Sequence, residues 1–347
     1  MVKLPRPFTA LSILLVMTLA TVGSPAPAQA FAALPISARS AVLLDAGSNS
    51  LLYAKNSRLQ RAPASTTKIL TAIVAAEMLP LEGIVTIPAF AESVQPSKIH
   101  LRAGERYYVR DLIRAILMNS ANDAAEVLAV AAAGSKSAFG ARMTAKAKAI
   151  GCRNSRFVNP SGLPDERQYS TAYDMALIMR QVENYPFIEN TMRTRTGVMY
   201  SLQGRKINLR NHNRMLWRDS REVVGKTGWT RRAKHCFVGH IGSGSRKTYV
   251  SMLGSNGLWR DLRILVDYSY GKSYKAVRKP VKLKGRREDT REIQAALKRA
   301  GYYRGKVDGL MGPATTKAIR KFQKANGLRS DGIVGSNTLA KLRPFIA

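Results

Sequence analysis

Short apolar runs open and close the stretch from about Ala41 to Ser255, and longer amphipathic stretches fill its middle. Ala41 to Leu44 and Leu51 to Ala54 read as paired strands, because Asp45-Ala-Gly-Ser-Asn between them supplies turn residues. Ile69, Leu70, Ile73 and Val74 then recur at helical spacing, which predicts a helix from about Ser65 to Met78. A mainly helical middle follows, clearest in "RDLIRAILMNSANDAAEVLAVAAA" and "MTAKAKAIG". Strand patterns return in "REVVGKTGWT", "HCFVGHIG" and "KTYVSMLGS", the last two joined by "SGSR", and a helix is predicted from about Trp259 to Tyr268. Strands at both ends with helices between them predict an α+β domain, in which the two ends meet in one antiparallel sheet.

Beyond this domain the pattern changes. "KAVRKPVKLKGRR", residues 275–287, is dense in positive charge and reads as a solvated linker. The tail holds a short repeat. "VDGLMGPATTKAI" from Val307 realigns with "SDGIVGSNTLAKL" from Ser330, matching Asp308 with Asp331, Gly309 with Gly332, Gly312 with Gly335 and Thr315 with Thr338. Each copy makes a turn and opens a helix, so residues 288–347 are expected to form a small all-α module. Tyr302 and Tyr303 are candidate sugar or peptide contacts, with a core role as the alternative.

Charge narrows the partners. The 347 residues carry 56 Lys and Arg against 22 Asp and Glu, a net charge of +34, which calls for a polyanionic surface or polymer. The first 30 residues have a basic start (Lys3, Arg6), an apolar run from about Phe8 to Val22, and the small-x-small ending Ala28-Gln29-Ala30. They predict a secretory leader cut after Ala30, the run being short for a membrane anchor. No later segment is apolar enough to span a bilayer. Export to the periplasm or cell envelope makes anionic envelope polymers, rather than nucleic acid, the expected partners. The two cysteines, Cys152 and Cys236, are too few for a metal framework, and buried thiols or a pair remain open readings.

The chemistry begins at Ser65 and Lys68. Three residues apart on a helix, they stack, so the amine can reach the hydroxyl. Among apolar neighbours the lysine either snorkels to solvent or is held uncharged, and an uncharged amine could take the serine proton. Ser120 and Asn122 add a hydroxyl and an amide at a helix boundary. Lys226, Thr227 and Gly228 add a second cation, a hydroxyl for an anionic group and room for a close backbone approach. The ordinary readings, a cap at Ser120, a solvent-facing Lys226 and a turn at Thr227-Gly228, would each suffice for one pattern but not for all three in this order. His100, His212, His235 and His240 have no triad or metal spacing, and no metal or other cofactor is expected.

With this motif set, and with "STTKILTAIVA", "FVNPSGLPDERQYSTAYDMA", "NHNRML" and "GKTGWT", the segment from Ala32 to Gly271 resembles the serine-type D-Ala-D-Ala carboxypeptidases, the low-molecular-mass penicillin-binding proteins. The resemblance implies a β-lactamase/transpeptidase-like fold over residues 31–274. It implies Ser65 as acyl-ester nucleophile, Lys68 as general base, Ser120 and Asn122 as proton relay and substrate holder, and Lys226 as electrostatic partner. Thr227 would bind the terminal carboxylate, Gly228 would admit the substrate, and the N–H groups of Ser65 and Trp229 would form the oxyanion hole. Arg260 is a further carboxylate-binding candidate. The implied substrate is the peptidoglycan stem peptide, with β-lactam antibiotics as inhibitors. D,D-endopeptidase action on crosslinks is the alternative. A β-lactamase would need an acid such as Glu166, but the chain lacks the Glu-x-x-Leu-Asn pattern of those enzymes; a non-catalytic wall scaffold fits poorly with intact motifs. The tail, from about Asp289 to Leu342, resembles the peptidoglycan-binding modules of wall hydrolases.

Overall fold

The computed structural model describes Phe31, residues 33–273 and residues 287–346. The leader and most of the basic linker therefore lie outside the described residues. The first hairpin is β1 (Ser40–Asp45) and β2 (Leu51–Lys55), paired antiparallel with Ala41 opposite Lys55. A 3₁₀ turn (Ala64–Thr67) precedes α1 (Lys68–Met78). Next come β3 (Ile84–Thr86) and β4 (Arg106–Tyr108), which pair with each other, then α2 (Val109–Met118), α3 (Asn122–Ala133), α4 (Lys136–Ala149), α5 (Ala172–Gln181) and α6 (Pro186–Arg193). A second hairpin, β5 (Thr196–Tyr200) with β6 (Lys206–Arg210), leads through the short α7 (Met215–Arg218) to β7 (Val223–Thr230), β8 (Lys234–Ile241), β9 (Thr248–Ser255) and α8 (Leu258–Ser269).

The two ends of the first domain do meet in one sheet. Its strand order is β2-β1-β9-β8-β7, with every pairing antiparallel and β7 left as an edge. Alternation along the strands divides the apolar side chains between two faces. Val42, Leu44, Val224, Cys236, Val238, Tyr249 and Leu253 join Ile69, Ile73, Leu112, Ile116, Leu128 and Ile178 in one core with the helices. On the other face, α8 packs across β8 and β9. Buried Asp261 accepts from Ser37 Oγ (2.6 Å), Ala38 N (2.8 Å) and Ser255 Oγ (2.7 Å), fastening the segment before β1 to the start of α8.

The predicted helix from Ser65 splits in two for a local reason. Thr66 gives both its Oγ1 (2.6 Å) and its N–H (3.4 Å) to Pro63 O, which tightens the first turn to 3₁₀ geometry before regular α1 begins at Lys68. Cys152 and Cys236 are buried and unpaired.

The tail forms α9 (Arg287–Arg299), α10 (Pro313–Ala325) and α11 (Ser336–Leu342) around its own cluster of Ile293, Leu297, Tyr303, Ile319, Phe322 and Leu342. The repeat is real, and its organisers are two buried glutamines. Gln294 Nε2 donates to Asp308 Oδ1 (2.9 Å), Leu310 O (3.0 Å) and Thr315 Oγ1 (3.0 Å), while its Oε1 accepts from Gly309 N (2.8 Å). Gln323 repeats this with Asp331 (2.9 Å), Ile333 O (2.9 Å), Thr338 (3.0 Å) and Gly332 N (2.8 Å). Tyr303 is 6% exposed and Tyr302 packs edge-on to Phe322 at 5.3 Å, so both rings contribute to the core of this module.

Candidate active site

Ser65 is half-buried on the 3₁₀ turn, and Lys68, the first residue of α1, is fully buried behind it. Lys68 Nζ lies 3.1 Å from Ser65 Oγ, 2.6 Å from Asn122 Oδ1 and 2.5 Å from Ser161 O. Burial pushes the Lys68 pKa well below its ordinary value, and the nearby Lys226 ammonium pushes the same way, against Glu126 and Asp123. Burial alone takes Lys226 down to about 7.

The second motif sits where α2 stops and α3 starts. Ser120 occupies the left-handed region (φ 60°), so the helix breaks there and the next turn is redirected. Asn122 is committed on all sides: its N–H goes to Ser97 O (2.7 Å), its Nδ2 to Gln95 O (3.0 Å) and its Oδ1 receives Lys68. Asp123 binds the N–H groups of Ile99 (3.1 Å) and Leu101 (3.2 Å), which folds the 95–101 segment against α3 as one wall of the cleft. Ser120 Oγ makes no hydrogen bond among the described residues.

Strand β7 supplies the opposite wall. A β-carbon on Gly228 would lie 2.9 Å from Ser65 N, whereas one on Gly225 would strike Phe237 at 2.5 Å on the α8 face. Alternation therefore puts Lys226 and Gly228 together on the side of Ser65, and Thr227 on the other side of an open edge. Trp229 is 58% exposed beside His235. Arg260 stands exposed on the first turn of α8, on the sheet's other face, and no hydrogen bond or ion pair joins it to Ser65, Lys68 or Lys226 among the described residues. The sequence could not place it, because its position depends on how α8 crosses the sheet. Glu166 is exposed on the 162–168 loop.

Two contributors were not singled out by spacing. Gly162 (φ 79°) presses on the residue before Ser65: a β-carbon there would lie 2.0 Å from Ala64 O. Ala64 itself is held at φ 50°, a conformation that costs a non-glycine residue about 1–3 kcal/mol and persists because the 3₁₀ turn is gripped between Gly162 and Gly228. Gly162→Ala should displace Ser65 and slow its acylation by on the order of 100-fold; stopped-flow with a chromogenic β-lactam measures this, and a wild-type rate would remove the gripping role. The second is His212. Its neighbours Asn211 and Asn213 are buried, and Asn213 Nδ2 holds Val223 O (2.8 Å) at the start of β7. Crowding by protein, then the charges of Lys226 and Lys68, push the His212 pKa down to about 4, so the ring is uncharged at neutral pH.

Similar proteins carry the same architecture. The chain is 34% identical over 224 residues to D-alanyl-D-alanine carboxypeptidase DacF of Bacillus subtilis, covering 63% of this chain and 58% of that one. It is 32% identical over 208 residues to a D-alanyl-D-alanine endopeptidase of Escherichia coli, covering 58% of this chain and 66% of that one. The crystal structure of a D-alanyl-D-alanine carboxypeptidase from Mycobacterium tuberculosis superposes with TM-score 0.66 at 26% identity, covering 72% of this chain and 98% of that one. A peptidoglycan binding domain profile matches residues 286–342. The D-alanyl-D-alanine carboxypeptidase profile matches residues 27–256, two-thirds of the sequence, and the chain belongs to that family.

Proposed function

We propose that the protein is an exported serine D-Ala-D-Ala carboxypeptidase that trims peptidoglycan stem peptides and is acylated by β-lactams. The observation that carries this is the set of three partners around the Lys68 amine. Asn122 Oδ1 and Ser161 O can only accept, so they take the two N–H bonds of a neutral amine, and its lone pair is left for the Ser65 hydroxyl. Lys68 then removes the proton as Ser65 Oγ attacks the carbonyl of the penultimate D-alanine. The C–O ester forms, the C–N bond breaks, and the leaving D-alanine amine takes the proton, with Ser120 as relay. Water afterwards hydrolyses the ester with Lys68 as base again.

Ser65 N–H and Trp229 N–H stabilise the oxyanion. Lys226 tunes the field, and Thr227 with the open edge of β7 receives the terminal carboxylate and the substrate backbone. Arg260, exposed on the sheet's other face, has no part in this reading. Incubation with purified muropentapeptide, followed by mass spectrometry, is expected to show loss of one alanine; no loss overturns the reading. A β-lactamase is disfavoured, because Glu166 is exposed on its loop.

In this reading residues 1–30 direct export, residues 31–274 carry catalysis, residues 275–287 link, and residues 288–347 hold the wall. Anionic envelope polymers add attraction through the excess of Lys and Arg over Asp and Glu, in a salt-dependent manner. Replacing both Gln294 and Gln323 by Leu should unfasten the two turns, each buried acceptor or donor left unpaired costing about 1–3 kcal/mol. Pull-down on purified sacculi is expected to lose most of the bound protein while β-lactam acylation persists; undiminished binding would leave the turns without a part in retention.

A further inference from the structure

One acceptor of the Lys68 amine is a backbone carbonyl, Ser161 O, in a stretch (157–165) that is neither helix nor strand. The direction of that carbonyl is set by whatever holds the stretch. Thr144 on α4 grips its start, accepting from Phe157 N (3.0 Å) and donating to Phe157 O (2.9 Å). Gln168, 3% exposed, accepts with one oxygen from both Val158 N (2.9 Å) and Asn159 N (3.0 Å). Asn159 then closes a turn across Ser161, its Oδ1 accepting from Gly162 N (2.8 Å) and its Nδ2 donating to Leu163 O (3.1 Å).

The remaining hold comes from α1 itself. Thr71 is fully buried one turn after Lys68 and donates its hydroxyl to Pro160 O at 2.6 Å. A helical threonine ordinarily bonds back to the carbonyl four residues earlier, yet here Thr67 O is 3.4 Å away and the hydroxyl is committed to the loop. Pro160 O and Ser161 O are consecutive carbonyls, the first held by Thr71 and the second by Lys68. Residues three apart share a helix face, so α1 carries the base and the group that aims the base's own acceptor on one side. No hydrogen bond joins Thr71 or Gln168 to Ser65 among the described residues.

We propose that Thr71 and Gln168 are positioning residues for acylation, holding the 158–161 backbone so that the Ser161 carbonyl takes one N–H of Lys68 and leaves its lone pair directed at Ser65. This rests on the acyl-serine reading above. With the carbonyl swung away, the amine turns more freely and its lone pair meets Ser65 Oγ less often, so acylation slows. The amine also loses an acceptor that binds its protonated form more strongly than its neutral form, so it gives up its proton at lower pH. The other charged or titratable groups that act on or near this amine, Lys226 on β7, Asp123 and Glu126 on α3, and His212, are untouched by changes at Thr71 or Gln168.

The test is stopped-flow acylation of the full chain by a chromogenic β-lactam, as a function of pH, in Thr71→Val, Thr71→Ser and Gln168→Met. Rates are taken per site titrated, which removes unfolded molecules from the comparison. Thr71→Val and Gln168→Met are expected to lower the plateau rate about 10-fold, the size of one net hydrogen bond, and to move the acid limb to lower pH. Thr71→Ser keeps the hydroxyl and is expected to restore both; Gln168→Met carries the test where Thr71→Val yields no folded protein. A wild-type rate and limb in the folded variants overturn the proposal, and so does a slowed plateau with an unmoved limb, which marks a purely structural role. Wild type that no β-lactam acylates overturns the acyl-serine reading as well.

Discussion

Ser65→Ala is expected to abolish both labelling by fluorescent penicillin and release of D-alanine, a loss on the order of 10⁴-fold or more. The side chain is half-buried and its hydroxyl has one close partner, Lys68 Nζ at 3.1 Å, so its removal takes away the nucleophile with little disturbance to packing. Circular dichroism should therefore stay at the wild-type spectrum. Labelling at the wild-type level would move the acylated residue elsewhere and dissolve the proposed mechanism.

Lys68→Ala is expected to slow acylation by about 10³-fold, within the range for loss of a positioned general base. Truncation also leaves Asn122 Oδ1 and Ser161 O without their donor, so some stability is lost, and the more diagnostic readout is pH. Acylation requires the neutral amine, and in wild type it should fall as pH drops through the lowered Lys68 pKa. Lys226 is the second cause of that lowering, so in Lys226→Met the acid limb should move to higher pH. A pH–rate profile by stopped-flow decides; an unmoved limb would remove the electrostatic link between the two amines.

The same variant changes stability in a defined direction. Lys226, with a pKa of about 7 in the fold and 10.5 in the unfolded chain, binds fewer protons when folded across that window. The native state therefore gains stability as pH rises from 7 toward 10.5, and at pH 6 burial of the charged amine costs about 5 kcal/mol. Lys226→Met should raise the melting temperature at pH 6 more than at pH 9, measurable by differential scanning fluorimetry.

Much of this was legible in the residues. The first hairpin, the late strands and the broken middle helix follow from local periodicity and turn chemistry, and those signals are complete within a dozen residues. The β5–β6 hairpin was not legible, since "TRTGVMYSLQGRKINLR" has weak apolar alternation on one strand and its outward side is polar. The two glutamine hubs escaped the repeat alignment for another reason. Gln294 lies 14 residues before Asp308 and Gln323 only 8 before Asp331, so the glutamines fall out of register with the repeat they organise.

By itself the sequence determined which groups could do the chemistry: a hydroxyl with an amine three residues on, a second amine on a strand, and an amide at a helix break. Only the tertiary structure decided that they act on one another. Lys68 reaches Asn122 across 54 residues and Ser161 across 93, and the charge it carries depends on water being excluded from all sides. Gly162, His212 and Arg260 were sorted in the same way, two of them into the cleft and one onto the sheet's far face. Burial and field are sums over neighbours brought together by the topology, and no local pattern of residues contains them.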